Sequence, residues 1–154
     1  FINTELLYSN EIGADVAEMG FNLMVTEGAK HVLGWKSPNY MYANNINPKL
    51  RLLLRNYRLS DDISLRFASD CLTTDNYVER LNEIKDGEVV NVCVDYDNFG
   101  YRYDDSTGIL NFMRYLPESI FNNTDFEFAK PIEMLDKLQT MSMFDAPIPL
   151  SPRQ

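Results

Sequence analysis

Val89-Val90-Asn91-Val92-Cys93-Val94, broken off by Asp95-Tyr96-Asp97-Asn98-Phe99-Gly100, is the stretch on which the fold turns. Its nearly unbroken, β-branched apolar run predicts a parallel strand covered on both faces. Phe21–Thr26 and Leu50–Arg55 read the same way on either side of an aromatic, Asn-rich connection over residues 31–49. Phe1–Thr4 reads as the tail of a further strand and Phe126–Phe128 as a short last one. Helical stripes fall between them. Ser9 caps a helix carrying Ile12, Val16 and Met19; Ser60 caps one carrying Ile63 and Phe67; Thr74 caps one carrying Tyr77, Leu81 and Ile84. Ile109, Phe112, Met113 and Leu116 mark another, stopped by Pro117, and Pro131 opens the last. Repeated strand-to-helix crossovers give an α/β fold with a mostly parallel sheet. From Met141 onward the chain is Pro-rich and aperiodic, the pattern of a tail or linker, so residues 1–140 are expected to fold and 141–154 to trail.

The 154 residues, 45% hydrophobic and 24% charged, suffice for one core. A formal charge of −9 with no basic stripe argues against nucleic acid and acidic membranes as partners. No apolar run approaches the ~18 residues of a membrane span. No signal-peptide pattern is present either, which favours the cytoplasm, although a first residue of Phe1 points to a longer parent. Cys71 and Cys93 lack metal-site spacing and read as buried thiols. No phosphate loop, CxxC, HExxH or GxSxG occurs, and neither a metal nor a cofactor is expected.

In parallel α/β folds, ligands gather at the carboxyl ends of strands. Glu5, Glu27, Asp95 and Asp97 follow the apparent strands. Glu5 and Asp95 are the pair suited to glycoside hydrolysis, in which one carboxylate attacks or activates water and the other protonates the leaving oxygen. The competing reading makes them solvated strand-end acids. Trp35, Tyr40 and Tyr42 offer faces for sugar rings, or else Trp35 packs beneath the long loop. His31 is either a substrate contact or a structural histidine. Arg55, Asp61 and Asp62 either orient substrate or serve caps and ion pairs, and Glu27 serves its turn.

Read together, Asn3-Thr4-Glu5-Leu6-Leu7-Tyr8, Thr26-Glu27-Gly28-Ala29, Leu33–Tyr40, Leu53–Ile63 and Asp95–Gly100 resemble the α-amylase branch of glycoside hydrolase family 57, over roughly residues 3–131. The resemblance implies part of an incomplete (β/α)7 barrel, its fourth to seventh strands, and a retaining mechanism on α-glucans. Glu5 is then the nucleophile and Asp95 the general acid/base. Trp35, Asp97, Tyr101 and His31 are assigned as substrate contacts. Asp97 stands where relatives commonly carry Glu, and Tyr101-Arg102-Tyr103 where they carry an acid and a His. The family's first-strand His-Gln-Pro motif and its helical fifth region are not in this sequence. An isolated part of a barrel is expected to be inactive and to need the missing barrel segments or a second copy of itself. The alternatives are an α-glucan transferase or branching-type enzyme and a non-catalytic carbohydrate-binding or structural α/β protein.

Overall fold

The computed structural model describes residues 1–152, so the last two residues of the expected tail lie outside the described residues. The chain divides into two compact units, residues 1–57 with 86–92 and 129–154, and residues 58–85 with 93–128.

The first unit carries a four-stranded sheet in the order β1-β3-β2-β4. Its strands are β1 (Leu23–Glu27), β2 (Met41–Asn44), β3 (Arg51–Arg55) and β4 (Thr140–Phe144). β1 pairs parallel to β3, β2 antiparallel to β3, and β4 parallel to β2. The sheet is mixed and mostly parallel, alternates with helices, and does not close into a barrel among the described residues, as befits part of an incomplete (β/α) barrel. Strand periodicity sends Leu52 and Leu54 to one face, with Met24, Tyr42, Leu50 and Phe144, and Leu53 to the other, with Leu23, Met41 and Met134. This is why Leu52-Leu53-Leu54 is apolar throughout.

Two segments differ from the sequence pattern. Residues 31–49 are not a plain connection: they hold β2, which makes an antiparallel pair with β3. The stretch from Met141 is not an aperiodic tail, because Thr140–Phe144 is the edge strand β4. Beyond it Ala146 and Leu150 are buried, and Tyr8 and Leu150 exchange backbone hydrogen bonds of 3.0 and 2.8 Å.

The opening stretch 89–94 is also corrected. Among the described residues it makes a single bridge, Asn91 with Arg55, rather than a strand ladder. β3 is already paired on both sides, so only its end can reach this segment. The amides of the run bond elsewhere: Val89 N–H to the Asn39 carbonyl at 3.1 Å and Cys93 N–H to Ser60 Oγ at 3.1 Å. Phe126–Phe128 forms no strand, and Ile2 only bridges Val25.

Helix α1 (Asn10–Glu18) starts at the expected cap, with Ser9 Oγ accepting from Ile12 N–H at 3.2 Å. The short α2 is Lys30–Leu33, and α6 (Met134–Lys137) follows a 3-10 turn begun by Pro131. In the second unit, α3 (Tyr57–Ser64) contains Ser60 rather than being capped by it. α4 (Thr74–Asn82) is capped by Thr73, not Thr74, in a reciprocal box with Asn76. α5 (Ile109–Asn123) runs through Pro117 instead of stopping there. Its far end is held by Asn82 Nδ2 donating to the Asn123 carbonyl and by Thr124 Oγ1 donating to the Ile120 carbonyl. Phe67, Tyr77, Tyr103 and Phe112 fill the space between these helices with ring contacts of 5.2 to 5.7 Å. Neither cysteine is fully buried: Cys71 is exposed and Cys93 half-buried.

At the end of β2, the fully buried Asn44 donates from Nδ2 to Tyr8 Oη (2.8 Å) and the Asn10 carbonyl (2.9 Å). Gly13 leaves the room: a Cβ there would lie 2.2 Å from Asn44 Nδ2 and 2.9 Å from Tyr8. Gly13→Ala is expected to lower unfolding stability by about 1–3 kcal/mol. Urea denaturation followed by far-ultraviolet circular dichroism checks this; an unchanged midpoint contradicts it.

Burial pushes the phenols of Tyr8 and Tyr42 up from 10.0 to about 12. Above pH 10 the unfolded chain releases protons that the folded chain keeps. Stability that is complete below pH 10 is therefore expected to fall as pH rises towards 12. The urea midpoint should drop through that window, with phenolate absorbance appearing as the chain unfolds.

Candidate active site

Glu5 lies in a 3-10 turn, Thr4–Leu6, that precedes α1. It is exposed, with φ 55° and ψ 24°, and Leu6 follows with φ 48°. Neither residue is glycine, so both occupy a left-handed region that L-residues avoid. The turn is fixed to the sheet, because Thr26 Oγ1 in β1 donates to the Leu6 carbonyl at 3.2 Å.

Beyond β1, α2 carries His31, which is exposed, and Trp35 follows two residues after the helix. Trp35 is 92% exposed, which rules out a core role for the ring and leaves its faces open. Tyr42 belongs to the core instead, its hydroxyl donating to the Ser37 carbonyl at 2.6 Å.

The ends of β1 and β3 hold an element whose pairing the sequence pattern does not reveal. Glu27 and Arg55 are in register across the two parallel strands. Arg55 Nη1 lies 3.2 Å from Glu27 Oε2, with side-chain exposures of 5% and 3%. Glu27 Oε1 also accepts from Gly28 N–H at 2.9 Å. Gly28 allows the close approach, since a Cβ would stand 2.4 Å from the Arg55 carbonyl oxygen. Glu27 therefore does more than serve a turn. The one available signal is a charge closing the apolar run Leu52-Leu53-Leu54.

In the second unit, Asp95 is the N-cap of a 3-10 turn, Tyr96–Asn98. Its side chain is 68% exposed, and Arg102 Nη2 stands 4.0 Å from Oδ2, a contact worth little in water. Asp97 is exposed, and its carbonyl accepts from Arg102 N–H at 2.9 Å. Tyr101 is 85% exposed in the turn closed by Gly100 N–H on the Tyr103 carbonyl. Asn98 is fully buried: its amide nitrogens, backbone and side chain, both donate to the Asp95 carbonyl, at 3.1 and 2.9 Å, and its Oδ1 lacks a partner among the described residues. Asp62 is buried and accepts from Arg66 and Arg80 at 2.5 and 2.8 Å, so it serves an ion pair that joins α3 to α4. Among the described residues no three His, Cys, Asp or Glu side chains come together as metal ligands, and no helix is long and apolar enough to cross a membrane.

The structure thus brings Glu5, His31 and Trp35 into the unit built on the sheet, and Asp95, Asp97 and Tyr101 into one turn region of the helical unit. Exposed carboxylates and open aromatic faces suit polyhydroxylated ligands. The chain belongs to glycosyl hydrolase family 57, whose model matches residues 1–148. It is 42% identical over 144 residues to a protein of Methanocaldococcus jannaschii named "Putative alpha-amylase". That match covers 90% of this chain and 30% of the relative, so the chain spans under a third of the relative's length.

Arg55→Met leaves the Glu27 carboxylate buried without the guanidinium and is expected to destabilise the fold by about 3–5 kcal/mol. Adding Glu27→Gln should recover most of that loss. The double-mutant cycle is read by circular dichroism rather than by the fluorescence of the exposed Trp35. A single variant as stable as the parent contradicts this account.

Proposed function

We propose that the protein acts on α-glucans as a retaining hydrolase of the α-amylase type, with Glu5 as nucleophile and Asp95 as general acid/base. Membership of glycosyl hydrolase family 57 over residues 1–148 carries this reading, supported by the exposed carboxylates at both positions. A Glu5 carboxylate oxygen bonds to the anomeric carbon as the bond to the departing sugar oxygen breaks. That oxygen keeps the bonding electron pair and takes the proton of Asp95. Water then attacks the same carbon, gives its proton to Asp95 and releases Glu5. Retention calls for carboxyl groups about 5–5.5 Å apart. Trp35 and Tyr101 present ring faces to sugars, His31 and Asp97 present polar groups to their hydroxyls, and Asp97 reaches less far than Glu would.

The open aromatic faces of Trp35 and Tyr101 also suit an acceptor sugar. A sugar hydroxyl replacing water in the second step makes the same residues a glucan transferase, and product chain lengths distinguish the two.

In the full-length protein, Glu5→Gln and Asp95→Asn are each expected to lower kcat on maltooligosaccharides by about a thousandfold or more, since the nucleophile and the proton donor act as a unit. Wild-type rates in either variant remove that residue from the mechanism. The 154-residue chain alone is expected to leave soluble starch intact, because its sheet does not close among the described residues. Hydrolysis by the purified chain that disappears in Glu5→Gln would overturn this.

A further inference from the structure

Glu5 and Leu6 have φ of 55° and 48°, two left-handed residues in succession with no glycine. Such a pair persists only where its surroundings over-determine it, and strain of this kind gathers at functional sites. Two side chains hold it. Asn3 spans the turn: its Oδ1 accepts from Thr4 N–H at 3.0 Å and its Nδ2 donates to the Leu7 carbonyl at 3.1 Å. Thr26 grips the turn from the sheet, its Oγ1 donating to the Leu6 carbonyl at 3.2 Å. Thr26 is 0% exposed and pairs in register with Leu54 in β3, so it stands on a rigid element.

The buried sheet position itself requires only a β-branched side chain, which valine supplies; the hydroxyl is needed for the turn. Leu6 is the residue next to Glu5, so a bond to its carbonyl fixes the backbone from which the Glu5 side chain departs. We propose that Thr26 and Asn3 are positioning residues that hold the Glu5 carboxylate in its attacking geometry towards the anomeric carbon of an α-glucan. This role rests on the assignment of Glu5 as nucleophile. Neither residue need touch the sugar. Each acts through the turn, and a misplacement of about 1 Å at the attacking atom costs on the order of a hundredfold in rate.

The test uses the full-length protein and an activated fluoroglucosyl fluoride, whose slow second step accumulates glycosyl-enzyme. Intact mass gives the labelling rate and peptide mapping gives the labelled residue. Thr26→Val should slow labelling of Glu5 at saturating reagent by about 10–100-fold. The reagent concentration for half-maximal rate and the urea midpoint should change far less. Thr26→Ser should restore the rate to within about threefold, because it returns the hydroxyl. Asn3→Ala, a change on the outer side of the turn, should slow labelling by about tenfold and supplies the answer if Thr26→Val does not fold. Wild-type labelling rates in the valine or alanine variant overturn the positioning role while leaving Glu5 as nucleophile. Labelling at another residue, or none, in the wild-type protein overturns the nucleophile assignment and this role with it.

Discussion

A buried amide is costly unless its hydrogen bonds are met, and the first unit is arranged so that Asn44 has them all. Its Nδ2 donates to Tyr8 and to the Asn10 carbonyl, and its Oδ1 accepts from the amides of Ile46 and Asn47. The second pair of bonds shapes the turn from β2 into β3. The first pair draws in the start of α1. Asn10 passes the constraint on, since its side chain bonds Asp145 and the Ala146 amide, which anchors the chain beyond β4. One amide thereby ties together three stretches far apart in sequence, and losing it would leave several buried polar groups unmatched.

The turn that carries Glu5 sits beside this network. Tyr8 is bonded to Asn44 on one side and to Leu150 through its backbone on the other. Residues 3–7 are therefore held between a fixed Tyr8 and the β1 strand, where Thr26 reaches the Leu6 carbonyl. The left-handed backbone at Glu5 and Leu6 is a local cost that the surrounding packing offsets. The turn at Asp95 is built differently. There the buried Asn98 donates twice to one carbonyl, and the acid stands at an N-cap in water.

Strand pairing accounts for most of what sequence reasoning missed. Periodicity located β1, β3, α1 and the helical stripe of α5, because burial of one face imposes a repeat on the sequence. It failed at 89–94, where an apolar run with strand composition finds β3 already paired on both sides. It failed again at β4, whose alternation of half-buried and exposed residues is weak in Thr140-Met141-Ser142-Met143. The Glu27–Arg55 pair could not be read from residues 28 positions apart, because parallel register is a property of the assembled sheet.

By itself the sequence determined an α/β chain, and its motifs in order resembled glycosyl hydrolase family 57, which the family match over residues 1–148 bears out. These features are local: a periodic stripe or a short motif carries its information in neighbouring residues. Tertiary structure alone decided the strand order β1-β3-β2-β4, the return of the C-terminal stretch to the sheet edge, and the strained turn at Glu5 held by a hydroxyl from β1. Those features depend on which hydrogen-bonding groups remain unpaired once the strands have met, and that is fixed only in three dimensions.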